Sequence, residues 1–191
     1  PDPIKLTLHT IGKTALNFLM LTLMVTPVRL LTGFTHLLRL RRMLGLFAFF
    51  YALLHFVVYL WLDQELDFAG VTEDIVKRPY ITIGFIALLL LIPLAVTSTN
   101  KMMRRLGRRW QKLHRLIYVI AILGVWHYYW QVKRDVTEPL IYAGVLALLL
   151  GYRAMRAWGK RQTQLAAAQG RPAALTPSTS TSGSATAPER T

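Results

Sequence analysis

Cysteine is absent from all 191 residues. That excludes disulfides, thiolate metal sites, iron–sulfur clusters and thiol redox chemistry together. Acid is scarce: 9 Asp and Glu stand against 23 Lys and Arg, for a formal net charge of +14. Such an excess can mark nucleic-acid binding, but here the basic residues lie in short blocks between apolar runs. Lipid topology arranges charge in this way, so the partner is membrane lipid and no nucleic acid is expected. The sequence offers no glycine-rich phosphate loop, nucleophile elbow or evident internal repeat. Nor does it show a soluble nucleotide-binding domain, so any reductant must arrive on another molecule.

What is present is apolar. Hydrophobic residues make up 53% of the chain and the mean hydropathy is +0.37. Five runs, at about 10–28, 44–62, 80–97, 113–130 and 139–158, each approach the roughly 20 residues of a membrane helix, and none alternates like a barrel strand. The fold class expected is all-α, a transmembrane helical bundle with five spans. Residues 1–161 form its domain. From about Gln162 the chain turns to Ser, Thr, Ala and Pro, and 162–191 reads as a disordered low-complexity tail.

The loops set orientation. Segments 29–43 and 98–115 carry Arg and Lys and no acid, whereas 63–79 carries Asp63, Glu65, Asp67, Glu73 and Asp74 against Lys77 and Arg78. The positive-inside rule puts the two basic loops and the C-terminus in the cytoplasm and the acidic loop outside. Pro1 then lies outside with no span before it, so a sixth, preceding helix is expected. Arg153 and Arg156 are placed to snorkel from the last run.

Ionisable groups within apolar runs are costly and usually functional. His55 lies about 16 Å into the second run at roughly 1.5 Å per residue, and His127 reaches a similar depth in the fourth. Two facing imidazoles can ligate a haem iron; a pair of interhelical hydrogen bonds is the plainer alternative. His114 stands at the cytoplasmic boundary, where Arg41 rather than a histidine is near its depth on the second run. About 100° per residue turns it roughly 140° away from His127. His9 and His36 read as surface residues. Tyr59, Trp61, Trp126, Tyr128, Tyr129 and Trp130 form an aromatic belt, and Gly45 and Gly124 could either admit a flat group or let helices pack closely.

The runs LRRMLGLFAFFYALLHFVVYLWLD, RPYITIG and LAVTSTNKMMRRLGRRWQKLHRLIYVIAILGVWHYYWQVK resemble the MsrQ family. These are the haem-binding membrane subunits of bacterial periplasmic methionine-sulfoxide reductase systems, within the ferric-reductase-like transmembrane superfamily. The resemblance covers about residues 2–153. It implies six helices in the bacterial inner membrane, b-type haem (one or two) and, in some members, FMN. It further implies electrons drawn from the quinone pool or a cytosolic flavin reductase and delivered to MsrP, a periplasmic molybdopterin enzyme. Matched by motif, His55 in YALLH, His114 in WQKLH and His127 in GVWHY take the family's three histidine positions. Arg41 leaves the other ligand of any second haem open. A reductase of ferric iron or another small acceptor at the outer face is an alternative. A haem-free transporter or proton pathway using the histidines is a second.

Overall fold

The computed structural model describes residues 2–34, 36–132 and 135–169. The described chain is helical, without strands: α1 (Pro3–Thr32), α2 (Leu37–Val58) continued by a π-helical turn (Tyr59–Asp63), α3 (Phe68–Lys77), α4 (Pro79–Val96), α5 (Asn100–Leu106), α6 (Arg108–Leu113), α7 (Leu116–Gln131) and α8 (Thr137–Gln169). It is a membrane helical bundle. Four stretches are long and apolar enough to cross a bilayer: Pro3–Thr32, Leu40–Asp63, Pro79–Val96 and Thr137–Leu165. The fourth apolar run differs from expectation. It opens with a turn at His114 and Arg115, and α7 is 16 residues long, about 24 Å at 1.5 Å per residue.

Local chemistry fixes the helix ends. Asp2 caps α1 by accepting from the Ile4 N–H, with Pro3 at the first helical position. Gly33 ends α1 in the left-handed conformation, φ 77°. Asp67 caps α3 and Pro79 starts α4. Inside the apolar helices, threonine hydroxyls return their protons to the preceding turn, Thr22 to the Phe18 carbonyl (2.7 Å) and Thr97 to that of Pro93 (2.6 Å). These two hydroxyl protons are thus satisfied within the chain's own helical turns.

Pro27 lies within α1 and supplies no N–H, which frees the carbonyl one turn back at Leu23. Arg153 fills that vacancy: its Nη2 donates to Leu23 O at 2.6 Å and its guanidinium lies 5.3 Å from the centre of the Tyr118 ring. Arg153 therefore turns into the bundle rather than snorkelling out of it.

Within residues 1–153, α1 packs along α2 and α4 along α7, while α2 also meets α4. The core between them includes Leu16, Leu23, Leu91, Ile120 and Ala121, joined by Leu146 and Leu149 of α8. Polar ties hold α8 to α1: Lys13 to Glu138 at 2.5 Å, and the Tyr142 hydroxyl to Asn17 Oδ1 at 2.6 Å. Residues 154–191 form a second unit. Its described part, to Gln169, is helical, so the helix runs on past Gln162. Residues 170–191 of the expected tail lie outside the described residues.

Candidate functional site

His55 near the end of α2 and His127 in α7 come together, with ring centroids 6.3 Å apart and planes at 80°. Each is fixed through Nδ1. The His55 Nδ1–H donates to the Leu8 carbonyl of α1 (3.0 Å), and the His127 Nδ1–H to the Tyr80 carbonyl of α4 (2.7 Å). A carbonyl can only accept, so this bond settles the tautomer and leaves Nε2 with its lone pair. No hydrogen bond reaches either Nε2 among the described residues. The interhelical hydrogen bonds are thus made through Nδ1, and each Nε2 keeps a lone pair that could serve a ligand.

Glycine makes the approach to those carbonyls feasible. Leu8 and Tyr80 each precede a glycine by one helical turn. A Cβ on Gly12 would stand 3.2 Å from the His55 ring, and one on Gly84 would stand 2.8 Å from the His127 ring. The two halves of the site are copies. Leu8, Gly12 and His55 are each 72 positions before Tyr80, Gly84 and His127, and Thr10-Ile11-Gly12 recurs as Thr82-Ile83-Gly84.

The histidines face a cavity of about 520 Å³. Twelve pairs of its lining residues obey the same 72-residue offset, among them Ala15 with Ala87, Leu16 with Leu88, Leu19 with Leu91, and Ala52 with Gly124. Only Lys5, Asp63, Ile75 and Arg78 have no mate in the wall. An internal repeat not evident in the sequence therefore builds the cavity. α1 with α2 forms one half and α4 with α7 the other, running the same way, as in parallel repeats about an axis along the membrane normal.

With ring centroids 6.3 Å apart, the two imidazoles are close enough that both could reach a single ion at a metal–nitrogen distance of about 2.0 Å. Among the described residues, no group of three or more His, Cys, Asp or Glu could hold an ion. The two imidazoles could supply two ligands to a metal that brings its others with it. The apolar, glycine-notched walls suit a flat group.

The other sequence candidates fall elsewhere. His114 sits in the turn between α6 and α7, stacked on Trp110 at 3.9 Å, with Nδ1 bonded to the Trp110 carbonyl at 3.1 Å and Nε2 buried without a partner. It does not line the cavity. His9 does, and is not simply a surface residue, whereas His36 is exposed. Of the aromatic belt, Tyr59 and Tyr128 enter the wall, while Trp61, Trp126, Tyr129 and Trp130 face outward. Gly124 lines the cavity; Gly45 instead looks onto Thr22. At the rim, the Tyr80 side chain and then the Asp74 carboxylate raise the pKa of Arg78, a permanent cation.

Residues 11–125 match the family model described as ferric reductase like transmembrane component. A "Protein-methionine-sulfoxide reductase heme-binding subunit MsrQ" from Xanthomonas campestris pv. campestris is 54% identical, over 85% of this chain and 74% of that protein. The chain belongs to the MsrQ family. Similar proteins of the same description occur in Herminiimonas arsenicoxydans (53% identical, over 84% of this chain and 75% of that protein) and Xanthomonas oryzae pv. oryzae (53%, over 85% and 75%). No solved structure matches. The ferric-reductase match takes in Gly12, His55, Gly84 and His114 and ends two residues before His127. The second half of the repeated site thus extends past the matched region of this MsrQ-family chain.

Proposed function

We propose that this chain is a membrane b-type cytochrome. It passes electrons from the quinone pool or a cytosolic reduced flavin to a periplasmic MsrP-like reductase, for repair of methionine sulfoxide in proteins. The observation that carries this reading is the histidine pair, 6.3 Å apart, each imidazole tied to a helix carbonyl and both on one cavity. The relatives' shared description as heme-binding subunits of a methionine-sulfoxide reductase supports it.

Haem, when bound, supplies the one-electron couple. The protein supplies depth, ligation and dielectric. His55 and His127 would hold the haem through Nε2, and their Nδ1–H bonds hold the rings still and raise their basicity. Leu16, Leu88 and Ile120 keep water from the buried part of the site. Basic loops at one end and the acidic loop at the other orient the chain in the bacterial inner membrane with the C-terminus cytoplasmic, so that electrons from an inside donor pass outward to a periplasmic acceptor. His114, at the basic-loop end, belongs to the side where electrons enter.

The test is a haem assay with a reduced-minus-oxidised spectrum on purified protein. A low-spin bis-histidine spectrum whose Soret band shifts with dithionite is expected. Protein that stays colourless after haem supplementation would overturn the reading in favour of a haem-free transporter. Reduced protein that reoxidises with ferric chelates and not with MsrP would favour the small-acceptor reductase.

A further inference from the structure

The cavity is polar at one end only. Deep in the bundle it is closed by Leu19, Leu91, Ala48 and Ile120, none of which can meet a charge. At the acidic-loop end its wall includes the cations Lys5, Lys13 and Arg78 and the carboxylate of Asp63. The two-fold pairing also fails at this rim: the mate of Lys13 is Phe85, and Lys5 and Arg78 have no mate in the wall. A symmetric apolar slot has thus acquired an unsymmetric mouth, with Lys5, Lys13 and Arg78 outnumbering Asp63.

Resting on the haem reading above, we propose that this mouth is a carboxylate clamp, in which Lys13 and Arg78 hold the two propionates of the bound haem. Lys13 is the better placed. Its Nζ donates to Glu138 Oε2 at 2.5 Å, and the same oxygen accepts from the Tyr128 hydroxyl at 2.5 Å. An ammonium has three N–H bonds, so Glu138 steers the side chain and leaves two donors for a carboxylate. Arg78 uses Nε on Asp74 at 3.1 Å, which leaves its terminal nitrogens for the second. The apolar floor forbids the opposite seating, since two carboxylates there would be buried without partners. Glu138 is a positioning residue, acting through Lys13.

Haem and its dimethyl ester, whose propionates carry no charge, separate this clamp from the rest of the site. Equilibrium binding of both to the full chain is compared for wild type, Lys13→Met and Lys13→Arg. Wild type should prefer haem by about tenfold or more, the worth of one charge-assisted hydrogen bond. Lys13→Met should lose that preference while its ester affinity and bis-histidine spectrum stay unchanged, and Lys13→Arg should restore it. A wild type that binds both equally, or a Lys13→Met protein that keeps the full preference, overturns the clamp and leaves the haem site standing. Binding of neither compound by wild type overturns the haem reading itself. Should Lys13→Met fail to bind either while wild type binds both, Arg78→Gln decides: a reduced preference sustains the clamp and an unchanged one refutes it.

Discussion

At the scale of single residues, the site depends on what holds each imidazole as much as on the imidazoles. On the proposed ligation, replacing His55 or His127 with alanine would remove one bond to the haem iron, and the haem-to-protein ratio should fall by more than about tenfold, beyond the cost of losing a supporting residue alone. His114→Ala should leave that haem bound, because His114 lies outside the cavity, and should slow reduction from the basic-loop side. Haem quantitation and stopped-flow reduction on the three proteins check both statements. Gly84→Ala is a finer probe. Alanine favours a helix over glycine by about 0.5–1 kcal/mol, which offsets part of the cost of a lost hydrogen bond, so the ligand-free protein should melt only a little lower. Yet the new Cβ would stand 2.8 Å from the His127 ring and drive it off the Tyr80 carbonyl. Haem affinity should fall more than in Gly12→Ala, where the corresponding distance is 3.2 Å. Equal affinities for wild type and Gly84→Ala would show that the ring need not lie so close.

Helices carry the next argument. Because Pro27 strips a donor from α1, the Leu23 carbonyl depends on Arg153 of α8. Arg153→Met should cost about 1–3 kcal/mol, as expected for a buried acceptor left alone. Pro27→Ala restores the missing N–H, so the same Arg153 change should cost much less in that background. Thermal melts of the four proteins give the coupling, and additive losses would refute it. This dependence was invisible in the sequence, where Arg153 reads as a snorkelling residue; nothing along the chain says that a proline 126 positions earlier has freed an acceptor. The apolar runs, by contrast, announced their helices, since lipid demands length and composition that can be counted. Where α7 begins was less legible: the apolar pattern continues through Leu113, and only the backbone shows a turn at His114 and Arg115. The equal depth of His55 and His127 was readable from loop charge and helical rise. Their carbonyl anchors were not, because every helical residue has a carbonyl and sequence marks none as special. The repeat was there in outline, as Thr-Ile-Gly and a histidine recurring 72 positions apart, but too few identities accompany it to stand out before the walls are seen together.

For the molecule as a whole, the cavity wall draws on residues 5–131. Truncation after Leu165 should therefore leave haem content and the absorption spectrum unchanged, measured on membranes at equal protein. A marked loss would give the C-terminal segment a part in the site. The two-fold character of the cavity has a subtler outcome. Haem is nearly symmetric about the line that passes between its propionates, and turning it over about that line only exchanges methyl and vinyl groups at its edge. Walls that repeat each other on both sides offer little to tell these two seatings apart. Freshly reconstituted ferric protein should therefore contain both isomers in comparable amounts, seen as doubled paramagnetically shifted methyl resonances. A wall position made unlike its mate, such as Ala15→Leu opposite Ala87, should drive the mixture toward one.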